Sequence, residues 1–196
     1  MELLKPIQEI CCPDIRQSFF VRLDSNSANG YSQNTIEDIY VRAANIKLHD
    51  GVPEDIRSHF ATALNLIAYS WYFYPFNVTA QLMAYISVEF ALKKRFPENQ
   101  NLRFKGLVKK AVKEGLINDK GFTIHTEQDI PNLQSEPQIT QIDPTLNEYA
   151  RGLTESIPYL RNELAHGSSN LHNQGASSVR MCADFINQLF APIEAQ

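Results

Sequence analysis

Residues 53–76 read PEDIRSHFATALNLIAYSWYFYPF, and this stretch sets the fold class. Pro53 suits the first turn of a helix, where its missing N–H costs nothing, and Glu54 and Asp55 complement the positive end of the helix dipole. Ile56, Phe60, Ala63, Leu64, Ile67, Trp71 and Tyr74 then recur at steps of three and four. That spacing predicts one apolar stripe along a helix of about 21 residues, about 31 Å long, ended by Pro75.

The same period continues down the chain. A second helix is predicted from about 77 to 96, with Val78, Leu82, Tyr85, Ile86, Leu92 and Phe96 on one side and Pro97 as its stop. Few residues separate it from the first, so the two are expected to be antiparallel neighbours. A third, over 102–117, turns Phe104, Leu107, Val108, Ala111 and Val112 inward. Residues 118–144 are polar and hold Pro131, Pro137 and Pro144, which predicts a long loop with a short hairpin around 121–125. A fourth helix is expected from about Thr145, with Asn147 and Glu148 in its first turn, through Tyr149, Leu153, Ile157, Leu160 and Leu164 to a cap at Gly167. Pro158 inside it predicts a kink or restart. A last helix spans 177–190 and carries Val179, Cys182, Ala183, Ile186, Leu189 and Phe190.

Residues 1–50 differ. The runs 18–23 and 36–41 are β-branched and aromatic and flank a turn-rich segment at 24–30, the pattern of a small hairpin. The expected fold is all-α: a bundle of four to five helices over 51–196, with residues 1–50 as an N-terminal extension.

Composition narrows the class. The chain has 196 residues, 43% of them hydrophobic, which excludes intrinsic disorder and a collagen-like repeat. A chain of this length buries roughly 70% of its unfolded surface and needs no disulfide or structural metal. The apolar stretch 64–76 is broken by Asn65, Ser70 and Pro75 and falls short of a membrane span. Residues 1–12 hold no apolar run of signal-peptide length. Cys11, Cys12 and Cys182 are an odd count without metal-ligand spacing and suit a reducing compartment, so a cytoplasmic location is expected. His49, His59, His125 and His172 form no ligand set, and neither metal nor cofactor is expected.

The segment Tyr159 to Gly167, YLRNELAHG, carries the chemistry. Arg161 is followed directly by the polar Asn162, and His166 follows after four intervening residues. This resembles the signature of the HEPN superfamily (higher eukaryotes and prokaryotes nucleotide-binding). Residues 84–93, AYISVEFALK, resemble an earlier helix of that family, with Glu89 at its acidic position. The resemblance covers 53–190. It implies a helical bundle that dimerises and, in active branches, a metal-independent endoribonuclease of toxin or phage-defence type. Two copies of the Arg and His would meet across a two-fold axis, and a nucleotidyltransferase-type antitoxin is an implied partner. In the implied chemistry a ribose 2′-hydroxyl attacks the adjacent phosphate. His166 would accept the hydroxyl proton, Arg161 would stabilise phosphoryl charge, and Asn162 would position phosphate or His166. The competing class is a non-catalytic RNA-binding or protein-interaction module.

The residues also admit plainer readings. A histidine at a helix C-terminus complements the dipole, and Glu155 and Glu163 on the same helix are alternative partners for Arg161. Glu89 falls among Val78, Leu82, Tyr85, Ile86, Leu92 and Phe96, where a carboxylate needs a partner. Lys93 is the local candidate, and Arg161 is the one that would matter for function, with Glu89 orienting it. Tyr69, Tyr72 and Phe73 lie off the first helix's stripe, where they complete a wide core, stack on bases or face a second copy.

The overall charge is −4, from 18 Lys+Arg against 22 Asp+Glu. Residues 93–120 hold nine basic and three acidic side chains, a local +6, leaving −10 elsewhere. Lys105, Lys109 and Lys113 form a row at four-residue steps, joined by Lys110 and Arg103. That row is either a solvated helix face or an RNA phosphate track.

Overall fold

Six helices and one two-stranded hairpin make up the described chain. The computed structural model describes residues 4–99, 101–123, 147–167 and 171–192. The helices are α1 (Ile36–Ala44), α2 (Glu54–Tyr69), α3 (Phe76–Arg95), α4 (Phe104–Lys113), α5 (Glu148–Ala165) and α6 (Gly175–Leu189). The hairpin pairs β1 (Val21–Leu23) with β2 (Tyr31–Gln33) antiparallel, Val21 opposite Gln33 and Leu23 opposite Tyr31. The all-α expectation with an N-terminal hairpin holds at this level. No helix among the described residues is long and apolar enough to cross a membrane.

The hairpin's second strand is not where the apolar runs placed it. Residues 36–41 belong to α1 because Thr35 and Asp38 form a capping box. Thr35 Oγ1 accepts from Asp38 N at 3.4 Å, and Asp38 Oδ2 accepts from Thr35 N at 2.7 Å. Two otherwise orphaned amides are thereby satisfied, which outweighs the β-branched bias of the run. Ile39 and Ala43, four residues apart, are the face that α1 buries.

Helix α2 also closes earlier than its stripe suggested. It ends at Tyr69, with Ser70 as cap, and Pro75 instead precedes α3. Tyr74 stands before a proline and is disfavoured from helical backbone. The N-terminal segment claims the carbonyls that α2 would have used. Gln17 Nε2 donates to Ser70 O at 2.9 Å, Asp14 N to Trp71 O at 2.8 Å and Lys5 Nζ to Tyr72 O at 3.0 Å. Trp71 and Tyr74 therefore leave the helical stripe, while Ile56, Phe60, Ala63 and Ile67 are buried as expected. Tyr69, Tyr72, Phe73 and Phe76 line an open apolar groove with Leu4 and Ile10.

Helix α3 is the central element, packed along α2 and α6 and crossed by α5. Its buried positions are small or polar, Ala80, Ala84, Ser87 and Ala91, together with Tyr85, Val88 and Leu92. Val78, Leu82 and Ile86, expected on the inner side, are only half-buried. Small residues let two helices approach α3 closely, so the seam follows the alanines rather than the largest apolar side chains. Gly175 at the start of α6 shows the same closeness: a Cβ there would lie 2.6 Å from Asn77 O. Ile39, Ala43 and Ile46 from the first fifty residues join the same core cluster as α2–α6.

Helix α5 runs without interruption through Pro158 to Ala165, so of the expected kink or restart, the restart is absent. It begins at Glu148 rather than near Thr145, which lies outside the described residues. Its N-cap position, Asn147, has φ of 50° and makes no side-chain cap. The cap comes from Asp119, wholly buried, whose carboxylate accepts from Tyr149 N at 3.1 Å and Ala150 N at 2.8 Å. Asp119 belongs to a short 3-10 turn, Asp119–Gly121, and the hairpin expected around 121–125 lies partly outside the described residues. Residues 124–144 lie outside the described residues.

Candidate functional site

Burial of Ile157 and Pro158 fixes the second half of α5 over α3 and α4, where Leu107, Val108 and Ala111 are likewise buried. Arg161, one turn further, then reaches Glu89 on α3. Arg161 Nη2 donates to Glu89 Oε2 at 2.9 Å, and Lys93 Nζ donates to Glu89 Oε1 at 2.8 Å. The two partners in prospect for Glu89 are thus both engaged, one on each oxygen. The Glu89 side chain is 15% exposed and that of Arg161 32%. A carboxylate at that depth is stabilised by two cations and fixes the guanidinium in return. Arg161 Nη1 donates to Asn162 Oδ1 at 3.3 Å.

These residues line a cleft of about 560 Å³, within the range of small-ligand sites. Its walls are Arg103, Phe104 and Lys105 at the start of α4 and Glu155, Pro158, Tyr159, Arg161 and Asn162 along α5, with Glu89 behind them. Among the described residues no side chain caps the N-terminus of α4, so its first amides add a partial positive charge to those of Arg103, Lys105 and Arg161.

Glu155 is the counter-ion of the lysine row and makes no bond to Arg161. It pairs with Lys105 through Oε2, and Lys109 Nζ lies 3.0 Å from its Oε1. Hydrogen bonds from these two ammonium groups hold the Glu155 carboxyl below the usual carboxylate range. Lys110 turns away, pairing with Glu114 Oε1 at 2.5 Å and lying 5.0 Å from the centre of the Phe96 ring. Lys113 is exposed. The row therefore exists as a helix face, but an acid from α5 already occupies its first two members.

His166 is the C-cap of α5, its amide donating to Asn162 O at 2.9 Å, and Gly167 follows at φ of 94°. This is the left-handed termination that glycine permits. The His166 ring is exposed and makes no hydrogen bond to another described residue. Five positions on a continuous helix separate it from Arg161 by about 140° around the axis. The fold thus brings Glu89, Arg161 and Asn162 together and leaves His166 outside their cleft within one chain.

The sequence did not mark Tyr159 and Phe104 as cleft residues, and of the two acids offered as partners of Arg161, Glu155 pairs with Lys105 and Lys109 instead. The available signal for Tyr159 was an aromatic off the α5 stripe. Among the described residues no group of three or more His, Cys, Asp or Glu is placed to hold a metal ion, and His125 lies outside them. Cys182 is buried, and burial pushes its thiol well above the ordinary value. No family model, curated protein or solved structure matches the chain.

Proposed function

We propose that this protein is a metal-independent endoribonuclease of HEPN type, acting in toxin or phage-defence biology. The observation that carries the reading is the Glu89–Arg161 pair, which puts a guanidinium fixed at one edge into a cationic cleft. A guanidinium held on one side keeps its remaining N–H groups for phosphoryl oxygens. The neutral His166 imidazole accepts the ribose 2′-hydroxyl proton as that oxygen attacks the adjacent phosphorus. The 5′-oxygen leaves and takes a proton from solvent water, giving a 2′,3′-cyclic phosphate and a 5′-hydroxyl end. Asn162 turns its Oδ1 to Arg161 and has its NH₂ to offer to phosphate.

His166 is not among the residues that line the cleft of Arg161, which supports a site completed by a second copy, in which His166 of one chain serves the cleft of the other. Lys105, Lys109, Lys110 and Lys113 would follow the RNA backbone beside the cleft. A nucleotidyltransferase-type antitoxin would silence the enzyme. The exposed His166 ring, without a hydrogen-bond partner among the described residues, also favours a second reading, an RNA-binding module without catalysis.

Purified protein and its His166→Ala variant are incubated with total RNA in EDTA. Cleavage that disappears in the variant is the expected result. RNA retention without cleavage by either protein selects the binding module, and neither retention nor cleavage overturns both. Sizing at low micromolar concentration should give twice the 22.3 kDa chain mass.

A further inference from the structure

We propose that the cleft is a subsite for one unpaired nucleobase and its flanking phosphate, with the Tyr159 ring as stacking platform. This rests on the RNA reading above and adds the residue that grips the base. Tyr159 is 63% exposed, although Leu153 and Ile157 on the same helix are 6% and 0% exposed. A large ring left in water beside Arg103, Lys105, Arg161 and Asn162 forgoes burial and keeps a π-face that no described residue stacks on. Every base offers a matching face, and stacking on an aromatic beside cations is how single strands are held without reading a fixed sequence.

The position along α5 says what surrounds the base. Glu155, Tyr159, Asn162 and His166 follow at steps of four, three and four, so they share one face of the helix. The platform lies about 10 Å along the axis from the same chain's His166, whereas the cleft beside the platform takes its His166 from the second copy, so the stacked base is held apart from its own chain's imidazole. Arg103 and Arg161 hold the phosphate next to that base, and Asn162 faces its sugar or edge. A duplex cannot offer an unstacked base to the ring, and its phosphates are left to the lysine row.

The probe is a fluorescent 2′-O-methyl oligonucleotide of mixed sequence, which cannot be cut, offered single-stranded or annealed to its complement. Tyr159→Ala should weaken single-strand binding about 10- to 100-fold, Tyr159→Phe should change it less than about twofold, and duplex binding should be unchanged in both. Equal binding by wild type and Tyr159→Ala overturns the proposal, as does equal weakening by the alanine and phenylalanine variants. The two readings fail separately. Wild-type RNA cleavage that Tyr159→Ala leaves unaltered in rate and cut position removes the subsite but keeps the nuclease. Tyr159-dependent single-strand binding without any cleavage keeps the subsite and removes the nuclease.

Discussion

Glu89 Oε2 accepts from Arg161 Nη2 at 2.9 Å, joining the middle of α3 to the last turns of α5 across 72 positions of sequence. The other carboxylate oxygen takes Lys93 at 2.8 Å. Glu89 is therefore shared between a local helical partner and a distant one, and only the distant bond aims a side chain into the cleft. Glu89→Gln keeps the shape and removes the charge. RNA cleavage should fall about 10- to 100-fold in kcat, as expected of a misplaced catalytic group, with KM and the thermal midpoint little changed. Single-turnover kinetics beside a thermal melt checks this, and wild-type rates would show that Arg161 needs no such holding.

Glu155 sits between Lys105 and Lys109 where a phosphate would sit. Glu155→Gln frees both lysines. Single-stranded RNA should bind more tightly, and the slope of log affinity against log salt should steepen by about 1.4, for two added phosphate contacts. Titration at several salt concentrations measures it. An unchanged slope would mean that these lysines are a solvated face.

Cleavage should be restored by mixing two dead chains. Arg161→Ala and His166→Ala are each expected to be inactive, and co-expression should yield mixed dimers with one intact Arg161 and one intact His166. Recovery of cleavage in the purified mixed dimer is the expected result. Its absence argues for a site complete within one chain.

The start of α5 depends on Asp119, whose buried carboxylate accepts from the Tyr149 and Ala150 amides. Asp119→Ala leaves those amides without their cap and should cost about 1–2 kcal/mol. A shift of the urea midpoint at unchanged m-value reads this.

Asp14 carries an acid-sensitive share of stability. It accepts from Arg16 Nε at 2.8 Å, Arg16 Nη2 and N at 3.0 Å, and Tyr74 N at 2.8 Å. Burial pushes its carboxyl up, but the Arg16 side chain and the Tyr74 and Arg16 amides outweigh this and hold it below 3.8. The folded value is thus lower than the unfolded one. The contribution is full above about pH 4 and is lost as pH falls through the folded value. Asp14→Asn should flatten the acid limb of the stability curve, which melts between pH 2 and 7 would display.

The helical class, the bounds of α3 and α6 to within about two residues, and the candidate pair of Glu89 with Arg161 were legible in the chain. Apolar period, the stop at Pro97 and a carboxylate set among apolar neighbours are local signals, whereas Pro75, read as the end of the first helix, precedes α3. The hairpin was legible only in part: the 18–23 run does hold β1, but the 36–41 run is a helix, and its deciding signal, the Thr35–Asp38 box, was overlooked in favour of β-branched bias.

The amino-acid sequence by itself determined that helices form, which residue types they carry, and that Arg161, Asn162 and His166 lie on one helix. Tertiary structure alone decided that α2 stops at Tyr69, because the N-terminal segment binds the carbonyls beyond it. It alone decided that Glu155 faces lysines of α4 and not Arg161, and that Tyr159 opens on the same cleft as Arg103. Those outcomes depend on which elements meet, and a bond between groups far apart in the chain has no period or spacing by which to announce itself.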